Sequence, residues 1–186
     1  MQRLTSALLK TVLETTLTRP LKIGIIGAGG AARTIHIPGF QRCPGVEIAA
    51  LCDPAVPATY TRFADLLACP DIEAVVIATP NYLHREIALA AIARGKHVLC
   101  EKPLALNLAE AREMLRAAEE AGVVHMTAFT YRFTPALQYM KHLVSAGELG
   151  AIRSVRAAYL MALSGHLLGW RSTRAQAGSL LSKIDQ

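Results

Sequence analysis

The architecture of the chain turns on Lys22-Ile23-Gly24-Ile25-Ile26-Gly27-Ala28-Gly29-Gly30-Ala31-Ala32-Arg33. Leu21 to Ile26 is short, apolar and rich in isoleucine, the pattern of a strand buried on both faces. It runs without a linker into Gly27-Ala28-Gly29-Gly30-Ala31-Ala32, where the pattern becomes Ala-rich and helix-like. Strand, glycine turn and helix in that order make a dinucleotide-binding fingerprint, with alanine at its third small position. Gly27 permits the tight turn, Gly29 lets a diphosphate approach the loop beside Ala28, and Ala32 lets the helix pack close to the sheet. The amides of Gly29, Gly30 and Ala31 then face phosphate from a helix N-terminus, where the dipole favours negative charge. Taken alone, Gly-x-Gly-x-x-Ala also describes a tight turn that holds no ligand.

A second strand end weighs towards a ligand. Val46 to Cys52 reads as another buried strand, and Asp53 closes it 24 positions after Gly29. The acid that takes adenosine-ribose hydroxyls is expected at roughly 20. A carboxylate there repels a 2′-phosphate, and Pro54 follows where an arginine would welcome one. NAD is therefore expected, with NADP as the alternative. The competing reading is that Asp53 caps the turn that follows it.

Composition narrows the class. The chain has 186 residues, 52% of them apolar, enough for one good core and little more. Its formal charge of +6 is scattered, without a basic run or an aromatic-basic stripe, so an anionic cofactor explains it better than nucleic acid. Cys43, Cys52, Cys69 and Cys100 show no Cys-x-x-Cys spacing. They read as reduced thiols of a cytoplasmic protein, with no metal site. No apolar run approaches the ~18 residues that span a membrane. Residues 1–19 lack a continuous apolar core and a cleavage site, and read as an N-terminal extension rather than a signal.

Further along, strands and helices alternate with short connections. A helical stretch interrupted at Pro38 ends near Gly45, with His36 inside it as a packed or solvated histidine. Tyr60 to Ala68 reads as a helix, Ala74 to Ala78 as a strand, Leu83 to Arg94 as a helix and Lys96 to Cys100 as a strand. Asn107 caps a helix that Gly122 ends, and Val123 to Phe129 is a fifth strand. This is α/β order, a parallel sheet with helices on both faces. Ligands of such sheets sit beyond the carboxyl ends of the strands. The polar clusters at Gly27, Asp53, Thr79 and Glu101 all follow strands directly. From Thr130 the pattern changes. Pro135 to Ala146 reads as a helix with Leu137, Met140 and Val144 inward, and Ile152 to Leu163 as a strand.

Six stretches, in order, resemble the Gfo/Idh/MocA family of oxidoreductases. They are Gly27 to Ala32, Asp53, Ala78-Thr79-Pro80-Asn81-Tyr82-Leu83-His84, Gly95 to Leu104 with Glu101-Lys102-Pro103, Tyr131-Arg132-Phe133 and Trp170-Arg171. The resemblance implies a Rossmann-type NAD(P)-binding domain over residues 20–129 and an incomplete α+β substrate and oligomerisation domain over 130–186. It implies hydride transfer between a nicotinamide cofactor and a sugar, cyclitol or related polyol. Thr79, Pro80, Asn81 and His84 would line the nicotinamide-ribose side, although His84 also reads as a helix-start hydrogen-bonding residue. Glu101 would hold that ribose, and Pro103 would follow a cis peptide bond. Lys102 would be the catalytic or substrate-anchoring lysine. Hydride leaves a carbon only as its hydroxyl gives up a proton, and a partly desolvated amine beside a cationic ring is placed to take it. Arg132 would bind substrate or anchor the interdomain hinge, and Trp170 and Arg171 would border the cleft or pack.

The end of the chain departs from that pattern. Family members continue through Gly-x-Leu-x-Asp-x-Gly-x-His into a large sheet that usually forms their dimers. Here Ala177-Gly178 leads to Ser179-Leu180-Leu181-Ser182-Lys183-Ile184-Asp185-Gln186. The expectation is a truncated or frame-shifted enzyme with impaired turnover. The alternative is a non-catalytic nucleotide-binding or regulatory protein of the same family.

Overall fold

The computed structural model describes residues 19–158. Strands β1 (Leu21–Ile26), β2 (Val46–Cys52), β3 (Ala74–Ile77), β4 (His97–Cys100) and β5 (His125–Thr127) form one parallel sheet in the order β2-β1-β3-β4-β5. A π-helical turn, Ala32–His36, runs directly into helix α1, Ile37–Phe40. Helices α2 (Phe63–Ala68), α3 (His84–Ile92), α4 (Leu108–Ala121) and α5 (Pro135–Ser145) follow. α3 is entered through a 3-10 turn at Asn81–Leu83.

Successive strand residues point to opposite faces, and both faces are buried. Ile23, Ile25 and Val76 pack with Ala32 on one side. Ile26, Val75 and Ile77 pack on the other with Leu66 and Leu67 of α2 and Ile87 of α3. Continuous apolar strands are what this two-sided cover requires. At α4, the Asn107 side chain accepts the Glu110 N–H at 3.0 Å, and Leu106 N–H donates to the Glu110 carboxylate at 3.1 Å. Gly122 ends that helix at φ +64°, as its sequence predicts.

Four expectations need correcting. The helix is not broken at Pro38: proline has no N–H to donate, and the preceding turn adopts π register, with Ile37 N–H on Ala32 O. Tyr60 is not helical; it bridges to Cys52 beside β2, and its N–H donates to Leu51 O at 3.0 Å. α5 forms, but Leu137, Met140 and Val144 are exposed, because no described residue covers that stripe. The described part of the strand expected from Ile152 is unpaired and exposed. Trp170 and Arg171 lie outside the described residues.

Candidate dinucleotide site at the strand ends

Gly27 closes β1 with φ +93°, and a Cβ there would lie 2.6 Å from the Ala78 carbonyl carbon and oxygen. The turn therefore presses on the end of β3, which only glycine permits. Gly29 and Gly30 differ: a Cβ on either would meet no protein atom within 4 Å. Their backbone is open on the side where a ligand would lie. The chain is helical from Gly30 onward, and Arg33 N–H reaches Gly29 O at 3.0 Å. The first amides of the helix thus lack intrahelical acceptors. Arg33 also donates from Nε to Ala28 O at 2.9 Å.

Asp53 makes two sets of contacts within the protein. One oxygen accepts the Ala28 N–H at 2.8 Å, and the other accepts Ala55 and Val56 N–H at 2.8 and 3.3 Å. It caps its own turn and ties the end of β2 to the fingerprint loop. A carboxylate has about four acceptor positions, so capacity for ribose hydroxyls remains.

Thr79, Pro80 and Asn81 follow β3, and Glu101, Lys102 and Pro103 follow the adjacent β4. The Thr79 hydroxyl is buried with no hydrogen-bond partner among the described residues. A native buried hydroxyl is nearly always satisfied, so an orphan at this rim fits a missing polar ligand. Asn81 is buried beneath the loop. His84 is fully buried: Nδ1 lies 3.0 Å from Pro103 O and Nε2 lies 2.9 Å from Thr79 O. Both partners are acceptors; a neutral ring donates to one of them, the imidazolium to both. The histidine stands behind the rim as a clamp between two loops. The Lys102–Pro103 peptide is cis.

Glu101 receives His36 Nε2 at 2.9 Å on one oxygen and the Lys102 N–H at 3.0 Å on the other. Burial pushes this carboxyl upward. The His36 and Lys102 hydrogen bonds and the charges of both residues outweigh burial, so it titrates below the usual carboxylate range. The sequence marks His36 only as a packed or solvated histidine. Nothing in its spacing identified the role, because its partner lies 65 positions away. Only the folded sheet brings together the helical turn after β1 and the end of β4, with β3 between those two strands.

Lys102 is exposed and lines a cavity of about 930 Å³ with Phe129, Tyr131, Arg132, Phe133 and Lys141. The desolvation expected for its amine is not supplied by the described residues. Arg132, in a 3-10 turn beyond β5, also borders a more apolar cavity of about 430 Å³ between α3, α4 and the edge of the sheet. Among the described residues no cluster of His, Cys, Asp or Glu is arranged to hold a metal ion. No described helix is long and apolar enough to cross a membrane. Burial pushes the Cys100 thiol up to about 12 and the Cys52 thiol up to about 11, with the charges of Glu101 and Asp53 respectively adding to the effect.

The open glycine loop, the acid after β2 and the orphaned hydroxyl after β3 define a doubly wound nucleotide-binding domain with its ligand rim across adjacent strands. The chain belongs to the Gfo/Idh/MocA oxidoreductase family, whose model, described as an oxidoreductase family with an NAD-binding Rossmann fold, matches residues 21–129. It is 40% identical over 167 residues to 1,5-anhydro-D-fructose reductase of Ensifer adhaerens, covering 83% of this chain and 50% of that protein. Levoglucosan dehydrogenase of Pseudarthrobacter phenanthrenivorans is 37% identical over 181 residues, covering 86% and 46%. Among solved structures, scyllo-inositol dehydrogenase from Lactobacillus casei with bound NAD(H) and scyllo-inositol matches with a TM-score of 0.67 at 25% identity. That match covers 71% of this chain and 43% of the other. The chain spans about half the length of the curated relatives it matches.

Proposed function

We propose that the chain carries the NAD-binding half of a dehydrogenase acting on a sugar, cyclitol or related polyol. The observation that carries this reading is the row of Gly29, Asp53, Thr79 and Glu101 at neighbouring strand ends, with an open backbone and an unpartnered buried hydroxyl between them. Sugar and cyclitol chemistry is supported by the names of its relatives. NAD is favoured over NADP because the Asp53 carboxylate would repel a 2′-phosphate.

The fingerprint amides and the helix N-terminus would hold the diphosphate. Asp53 would take the adenosine ribose, Thr79 and Asn81 would line the nicotinamide side, and Glu101 would take the second ribose. The nicotinamide ring, when bound, accepts or returns a hydride. Lys102 would hold or pass the proton of the reacting hydroxyl, and Arg132, which lines the same cavity, would orient substrate.

Two assays test this. Titration with NADH, followed by its fluorescence, reads the cofactor half; saturable binding that Asp53→Ala weakens about tenfold is expected, and the lack of saturable binding overturns the proposal. NAD reduction across a panel of sugars and cyclitols reads the chemistry. Turnover that falls about 100-fold in Lys102→Met with NAD affinity unchanged supports the lysine's role. Because the chain spans about half the length of its relatives, cofactor binding without turnover leaves the cofactor-binding half of the proposal standing.

A further inference from the structure

Lys102 has a long flexible stem and an exposed side chain, so the protein controls its amine chiefly by fixing its backbone. On one side, the Pro103 carbonyl meets His84 Nδ1 at 3.0 Å. On the other, the Lys102 N–H rests on a Glu101 carboxylate oxygen at 3.0 Å, and the second oxygen of that carboxylate meets His36 Nε2 at 2.9 Å. The two contacts hold both oxygens of the Glu101 carboxylate. His36 is 5% exposed, and its ring is stacked on Phe40 with centroids 6.3 Å apart, so it is not free to follow a moving partner. It also belongs to the helical segment that begins at the glycine loop. The same side chain therefore links the phosphate end of the rim to the lysine end.

We infer that His36 is a positioning residue: by donating from Nε2 to Glu101 it fixes the carboxylate that holds the Lys102 backbone. The inference rests on the reading of Lys102 as the proton-handling group, but the contact itself can be measured without it. Removal of a donor to a carboxylate frees that carboxylate to seek water, and the bond it made in turn becomes transient.

The test compares wild type, His36→Gln and His36→Leu in the 186-residue chain. Glutamine places an amide donor near the position of Nε2; leucine has none. Amide hydrogen exchange is expected to speed up at Lys102 at least about tenfold in His36→Leu, with the amides of β3 unchanged, and to return towards wild type in His36→Gln. NAD affinity measured by calorimetry should fall and recover in the same order. Equal Lys102 exchange in wild type and His36→Leu, or no recovery in His36→Gln, overturns the inference. If His36→Leu does not fold, nitrogen NMR of the wild-type histidines decides: Nε2 of His36 must carry a proton, and a ring protonated only at Nδ1 overturns it. Failure of wild type to bind NAD would sink the proposed cofactor site while leaving the exchange result to stand or fall separately.

Discussion

Gly27 and Gly29 occupy one motif but answer to different physics. Gly27 is required by the protein itself: its φ is positive and the Ala78 carbonyl fills the space a side chain would need. Gly27→Ala should cost about 2–4 kcal/mol in denaturant titration. Gly29→Ala meets no protein atom and should change stability by less than about 1 kcal/mol, while NAD binding weakens. A stable Gly27→Ala or an unstable Gly29→Ala would contradict this division. Glu101 offers a second residue-scale test. Its folded carboxyl titrates below the usual range, so its contribution is complete above the unfolded value of about 4.3 and is lost as pH falls through the folded value. Denaturation midpoints measured against pH should fall across that acid window in wild type and less steeply in Glu101→Gln; parallel curves would argue against the His36 pairing.

At the scale of elements, buried polar groups hold the connections. Lys96, 6% exposed, donates from Nζ to Cys69 O at 2.9 Å and Ile72 O at 2.6 Å. It secures the turn between α2 and β3 from the start of β4. Lys96→Met leaves both carbonyls without that donor and should cost about 1–3 kcal/mol in chemical denaturation; no loss would show that water replaces it. The strands were legible because two-sided burial demands unbroken apolar runs, as at Ile23 to Ile26 and Val75 to Ile77. The caps of α4 were legible because each acts locally, Asn107 on the Glu110 N–H of the first turn and Gly122 on the last turn. The π turn before Pro38 was not, since the register change that relieves a missing N–H has no residue signature of its own. The roles of His36 and Lys96 were equally hidden: each is defined by a partner remote in the chain.

Over the whole molecule, the site exists because parallel strands bring four loops to one edge. The sequence showed that each polar cluster follows a strand, and the order β2-β1-β3-β4 sets them side by side. The region beyond Thr130 was less legible, because the apolar stripe of α5 and the run from Ile152 take their meaning from partners that the described residues do not include. Burial separates the thiols in the same way: Cys52 and Cys100 should resist a thiol reagent until unfolding, whereas exposed Cys43 reacts in the native protein. Early modification of Cys100 would mean that β4 is open to solvent. The proposed site places a dinucleotide across these strand ends with its adenosine ribose on Asp53. Calorimetric titration of the chain with NAD and NADP, in wild type and Asp53→Asn, tests it most directly. Saturable binding of NAD, at least about tenfold weaker binding of NADP, and a narrowed gap in the variant are expected; no binding of either, or a preference untouched by Asp53→Asn, would overturn the assignment.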